Sequence, residues 1–114
     1  MTWEEAVAFA LTLPGTALGT SYGKPVVKVA ANDRALLFPG HEADTSFGVA
    51  LDLDTIELLM ETDPDTFWQT SHYAGWEAVL IRYDSKDGER VREVIERSRD
   101  WVAAKPPARP RKRK

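Results

Sequence analysis

The chain has 114 residues, a net charge of −3 and no cysteine, which is the size and character of one small domain. The lack of cysteine excludes disulfides, thiolate metal sites and a cysteine nucleophile. No apolar run approaches the roughly 20 residues of a membrane helix, and acids precede the apolar stretch near the N-terminus where a signal peptide carries cations, so we expect a cytoplasmic protein with no membrane partner.

The predicted elements begin with a helix after Thr2. The Thr2 hydroxyl and the Glu5 carboxylate have the spacing of a capping box, and apolar residues recur at helical spacing up to Pro14-Gly15. Four strand-like segments follow, and Asn32-Asp33 has the composition of a hairpin turn. The predicted strands lie at about 16–21, 25–30, 34–39 and 46–52.

The second half of the chain is predicted to hold two helices around a fifth strand. Asp54 is expected to cap a short helix that runs to about Thr62. Residues 65–76 are rich in aromatics and are expected to be irregular, whereas residues 77–83 have the pattern of a strand. The last helix is strongly amphipathic, and Pro106-Pro107 stops it.

The order α-β-β-β-β-α-β-α predicts an α+β fold with an antiparallel sheet of about five strands. Three amphipathic helices cover only one face of such a sheet, so the other face is expected to be at least partly open to water. We expect one domain over residues 1–104. Residues 105–114 contain three prolines and six cations, and they are expected to form a disordered basic tail.

Charge is divided unevenly between this body and this tail. Six of the 15 cations lie in residues 105–114, which hold no acid, so residues 1–104 carry nine cations against 18 acids. A short basic tail on an acidic body is typical of a segment that contacts nucleic acid, although it also serves in some proteins only to keep the chain in solution. The tail cations are Lys105, Arg109, Arg111, Lys112, Arg113 and Lys114.

Three further cations are expected on the open face of the sheet. If Val27 and Ile81 point into the core, strand alternation places Lys24, Lys28 and Arg82 on the opposite side. Such cations can contact phosphates, which orient a protein on DNA without reading its sequence. The alternative is an ordinary solvated strand face, because so few cations on an acidic body attract DNA weakly.

The aromatic segment supplies a second candidate site at His72 and Trp76. Aromatic rings of this kind stack on bases or on other planar ligands. They also pack cores, and the interpretation favoured here is that they close one end of the sheet. A lone histidine without an identifiable nucleophile or carboxylate partner is typical of a structural or exposed residue.

No motif in the chain predicts catalysis. The nucleophile elbow, the phosphate-binding loop, the zinc-binding helix and the dinucleotide-binding glycine pattern are all missing from the sequence. His41, Glu42 and Asp44 fit neither a calcium loop nor a zinc helix. We therefore predict no catalytic residue, no metal ligand and no cofactor, and an enzymatic role has no support in the sequence.

Several soft motifs suggest a family. They are SYGKPVVKV at 21–29, RALLF at 34–38, and His72 followed by Trp76 in an H-x-x-x-W pattern, ahead of a strand and a closing helix. Over residues 1–104 the chain resembles the MmcQ/YjbR family, whose fold is similar to that of frataxin (the CyaY-like fold). The resemblance implies that fold, and a DNA-binding role that has been assigned to family members from a proposed two-winged surface.

Two functions follow from the sequence. The first is a DNA-binding accessory protein without sequence specificity, which uses the basic tail and the open sheet face. The alternative is a module without catalytic activity that binds a protein or a small ligand of unknown identity through the aromatic segment and the sheet face.

Overall fold

The computed structural model describes residues 1–40 and 42–107, which form an α+β fold with three helices and one antiparallel sheet. The helices are α1 (Trp3–Ala10), α2 (Leu53–Thr62) and α3 (Gly88–Ala103). The strands are β1 (Thr16–Ser21), β2 (Lys24–Val29), β3 (Arg34–Phe38), β4 (Ser46–Ala50), β5 (Phe67–Trp68) and β6 (Ala78–Arg82). Their order across the sheet is β1-β2-β3-β4-β6-β5. No helix within these residues has both the length and the apolar character needed to cross a membrane.

In the described part of the chain the sheet has six strands, so the prediction of five strands is wrong. The additional strand, β5, lies in the aromatic segment that was expected to be irregular. Phe67 lies opposite Ile81 and Trp68 lies opposite Leu80 in an antiparallel pair with β6. A strand of two residues is too short to produce an alternating pattern, which is why the sequence does not reveal it.

The start of α2 also differs from the prediction, because its N-cap is Asp52 and not Asp54. The Asp52 carboxylate accepts hydrogen bonds from the backbone N–H of Thr55 at 3.0 Å and from its hydroxyl at 2.9 Å. Partial burial acts to raise the pKa of Asp52, but these hydrogen bonds outweigh it and hold the pKa below its ordinary value. Asp54 lies inside the first turn, where an acid is favourable without being a cap.

All three helices pack on one face of the sheet, as predicted. Alternate residues of the strands meet apolar residues of each helix there, including Ala6 of α1, Ile56 of α2 and Ile95 of α3. The buried strand residues on this face are Val27, Val29, Leu37, Phe47, Val49, Phe67, Val79 and Ile81.

A bulge in β3 adds one residue to the helix-covered face. Val27 lies opposite Leu37, but the next pair along the strands is Lys28 with Ala35, which leaves Leu36 without a cross-strand partner. Both Leu36 and Leu37 are fully buried in the core. The bulge therefore shifts the alternation of β3 by one residue and places Ala35 on the open face.

The end of α3 is tied to the turn between β2 and β3. The buried side-chain amide of Asn32 donates to the carbonyls of Val102 at 2.7 Å and Lys105 at 3.1 Å. Arg34 Nε donates to the carbonyl of Pro106 at 2.6 Å. Lys105 and Pro106, which the sequence analysis assigns to the tail, thus contact the body of the domain.

Candidate functional site

The open face of the sheet carries a concavity of about 530 Å³. Its floor is apolar and comes from three strands of the sheet: Val26 of β2, Ala35 and Phe38 of β3, and Ala78 of β6. The turn between β1 and β2 forms one wall, and the loop that leads into β6 forms the other. Residues far apart in the sequence therefore meet around one cavity.

The floor depends on a glycine in β4. Phe38 lies directly opposite Gly48 in the sheet, and the Phe38 ring covers the glycine. A Cβ atom on Gly48 would overlap three carbons of that ring. The absence of a side chain at Gly48 thus sets the height of the Phe38 ring and with it the depth of the concavity.

The first wall is a strained two-residue turn. Tyr22 and Gly23 connect the paired residues Ser21 and Lys24, with φ values of 53° and 80°. Two positive φ values are typical of a type I′ hairpin turn, in which asparagine and glycine are the usual residues. A tyrosine in this region is uncommon, and its side chain is 90% exposed at the rim of the concavity.

The second wall is formed by Tyr73 and Trp76, and the His72 ring packs against both of them. The Tyr73 and Trp76 rings meet edge to face with their centroids 5.5 Å apart, and the His72 ring lies 4.9 Å from that of Trp76. Tyr73 is buried, whereas Trp76 is 52% exposed and lines the concavity. The Gln69 amide holds the loop by donating to the carbonyls of Trp76 and Ala78.

His72 and Trp76, the two residues of the predicted stacking site, are in contact, but only Trp76 lines the cavity. Trp76 faces the concavity, while His72 packs against Trp76 and is not among the residues that line the cavity. Tyr22 was missed by the sequence analysis. A bulky residue followed by glycine between two strands is the signal that could have identified this turn.

Among the residues that the structure describes, the rim carries one cation that no acid neutralises. Lys24 is exposed and lines the concavity, and its ammonium makes no hydrogen bond or ion pair with the described residues. Glu77 lines the same cavity, but its carboxylate is paired with the Lys105 ammonium at 3.3 Å. The Lys105 ammonium also lies 4.0 Å from the centroid of the Trp101 ring. The uncompensated charge at the rim is therefore positive.

The other two cations predicted for the open face lie in different surroundings. Lys28 forms an ion pair with Asp33 at 3.1 Å. Arg82 lies at the opposite end of β6 from the concavity, with its guanidinium 4.4 Å above the centroid of the Trp68 ring. The depression beside Arg82 is also lined by acids, namely Asp63, Asp65, Asp84 and Asp87. Lys24, Lys28 and Arg82 do not form one continuous cationic surface.

Most of the predicted tail site falls beyond the residues that the structure places. Lys105 is placed, and its pairing with Glu77 satisfies its charge. The remaining predicted cations lie outside the described residues: Arg109, Arg111, Lys112, Arg113 and Lys114. His41 of the candidate metal cluster also lies outside them, and the described residues contain no group of three or more potential ligands close enough to hold a metal ion.

Comparison of the chain with models of protein families, with curated proteins and with solved structures found no match. The resemblance to the MmcQ/YjbR family therefore stays a prediction.

Proposed function

We propose that this protein binds a small, planar and largely apolar molecule in the concavity on the open face of its sheet. The observation that carries the proposal is the cavity itself, with an apolar floor between two aromatic walls. Its volume of about 530 Å³ lies within the range of roughly 300–1,000 Å³ that is common for small-molecule sites.

The exposure of the wall residues supports a ligand-binding role. Tyr22 and Trp76 are both large aromatics that leave more than half of their surface in water, on opposite sides of the same cavity. Exposed aromatic surface around an apolar depression is typical of a binding site. A planar ligand on the floor would cover part of both rings and gain the stacking energy of aromatic pairs, about 0.5–1.5 kcal/mol for each contact.

The strained backbone at Tyr22 supports the same conclusion. Strained residues concentrate at ligand-binding sites, because elsewhere selection replaces them with residues that fit the backbone. Asparagine or glycine would fit the turn without strain, yet the chain has a tyrosine whose side chain reaches the rim of the cavity. A ligand contact accounts for this choice.

The proposal can be tested by titrating the full chain with neutral planar fluorophores such as Nile red. We expect saturable binding that Trp76→Ala weakens at least several-fold and that Trp76→Phe largely retains, because phenylalanine keeps an aromatic face. Leu58→Ser is the matched control, since Leu58 is 57% exposed on α2 and does not line the cavity. If no neutral probe binds saturably, or if Leu58→Ser weakens binding as much as Trp76→Ala, the proposal fails.

Non-specific DNA binding is the second candidate, and the observation that favours it is the set of six cations in residues 105–114. In the body of the domain, Lys28 and Arg82 are engaged by Asp33 and Trp68. Electrostatic attraction to DNA therefore depends on the tail, together with Lys24.

A further inference from the structure

The two edges of the sheet differ in the way they are protected. At one edge, β5 has only two residues, and the neighbouring Arg82 lies over its Trp68 ring. At the other edge, β1 has six residues, Thr16–Ser21, with neither a charged side chain nor a proline. Short strands, charges and prolines are the usual devices that keep an edge from pairing with another strand. The β1 edge has none of them.

The β1 edge also exposes an apolar side chain. Leu18 lies opposite Val27 and so points to the helix-covered side of the sheet, but it is 60% exposed because β1 lies beyond the helices. Ala17 and Thr20 are exposed as well. The edge thus offers unpaired backbone groups together with an uncovered leucine.

We propose that β1 pairs in antiparallel fashion with β1 of a second copy of this chain. A two-fold axis perpendicular to the sheet joins the two sheets into one and keeps the helices of both copies on the same side. With the axis at Leu18, each Leu18 lies opposite its own counterpart. The same register places Ala17 opposite Gly19 and Thr16 opposite Thr20. In every pair of opposed residues, both side chains are uncharged and lie on the same face of the sheet.

The distribution of charge makes the β1 edge a more favourable contact between two copies than the rest of the acidic body. Residues 1–104 carry 18 acids against nine cations, so two bodies repel each other over most of their surface. The neutral β1 edge is a place where they can approach without opposing like charges. Pairing of one short strand buries little surface, so we expect a weak dimer that strengthens with protein concentration and, because salt screens the repulsion, with ionic strength.

Sedimentation or light scattering of the full chain over a range of concentrations tests this proposal. We expect the apparent mass to rise towards twice the monomer mass. Leu18→Lys would hold the mass at that of the monomer, because it opposes two cations at the axis. Leu58→Lys is the matched control, since Leu58 is 57% exposed against 60% for Leu18 but lies on α2. We expect that variant to dimerise like the unmodified chain.

A second measurement locates the axis and does not depend on the folding of the lysine variant. The chain contains no cysteine, so Leu18→Cys introduces a single thiol. Directly opposed residues of antiparallel strands have Cβ atoms about 4.5–5.5 Å apart, which is close to the separation that a disulfide requires. We expect mild oxidation to cross-link Leu18→Cys much faster than Leu58→Cys. A monomer at every soluble concentration, equal loss of dimer in the two lysine variants, or equal cross-linking of the two cysteine variants would overturn the proposal.

Discussion

Tyr22 lowers the stability of the folded chain at a position where its side chain lines the concavity. Its φ of 53° brings Cβ close to the following carbonyl oxygen, at a cost of about 1–2 kcal/mol for a residue other than glycine or asparagine. We therefore expect Tyr22→Asn to raise the free energy of unfolding by about 1 kcal/mol and at the same time to weaken binding of the planar probe. Urea denaturation and probe titration measure the two effects.

Asp33→Asn is the control for this substitution, because Asp33 has a similar φ of 58° and does not line the concavity. It should leave probe binding unchanged. If Tyr22→Asn stabilises the chain and binding is unaltered, the tyrosine has no role in the site and the strain needs another explanation.

Lys24 determines which ligands the cavity should prefer. It is the uncompensated charge at the rim, so a planar acid should bind more tightly than the neutral molecule of the same shape. We expect naphthalene-2-carboxylate to bind about two- to fivefold more tightly than naphthalene-2-carboxamide, since an exposed ion pair contributes up to about 1 kcal/mol. In competition titrations, Lys24→Gln should remove this preference and Lys28→Gln should not. A preference that survives in Lys24→Gln would assign the selectivity to another group.

At the scale of the elements, β4 supports the cavity through Gly48. Gly48→Ala would push the Phe38 ring towards the open face, because the added methyl group needs the space that the ring occupies. We expect a loss of about 1–3 kcal/mol in unfolding free energy, which is typical of an overfilled site, together with weaker probe binding. Gly88→Ala is the control, since the nearest contact of its added methyl group is the end of the flexible Arg92 side chain at 3.6 Å. Equal effects of the two substitutions on probe binding would contradict this role of Gly48.

The cap of α2 predicts a pH dependence. The folded-state pKa of Asp52 is lowered, so its contribution to stability is present above the unfolded pKa of about 3.9 and is lost as the pH falls through the folded pKa. Near neutral pH, Asp52→Ala should cost about 1 kcal/mol, the usual value for an N-cap. The difference from the unmodified chain in denaturation experiments should shrink below about pH 4. Asp54→Ala should lower the free energy of unfolding by much less. A larger loss for Asp54→Ala than for Asp52→Ala would indicate that Asp54 is the N-cap of α2.

The elements that could be predicted are those with a long repeating pattern. The three helices and five of the six strands extend over enough residues for helical spacing or alternation to be visible, and the prolines and glycines mark most of their ends. The misses have local causes. Asp52 and Asp54 are both suitable caps in the sequence, and only the backbone geometry selects Asp52. The bulge at Leu36 shifts the alternation of β3 by one residue, and no residue in the sequence indicates this shift.

For the whole molecule, the candidate site was less predictable than the fold. The cavity joins Tyr22, between β1 and β2, with Trp76, which lies 54 positions further along the chain. They lie close together because β6 pairs with β4, while β1, β2 and β3 are adjacent to one another on the other side of β4. The sequence identified Trp76 and Lys24 as candidates separately, one for stacking and one for phosphate contact. The strand order brings them to the same cavity.

The division of charge leads to the last prediction. Because Lys105 is paired with Glu77, five tail cations and Lys24 are left to neutralise phosphates, so the logarithm of any DNA affinity should fall with the logarithm of salt concentration with a slope no steeper than about −5.4. Replacing these five cations with glutamine in the full chain should abolish binding. A variant that replaces Lys24, Lys28 and Arg82 should lose little, because two of these cations already have partners. Filter binding at two salt concentrations measures both effects. A larger loss of affinity in the second variant would indicate that DNA binds to the sheet face. No binding of the unmodified chain at low salt would show that DNA is not a ligand.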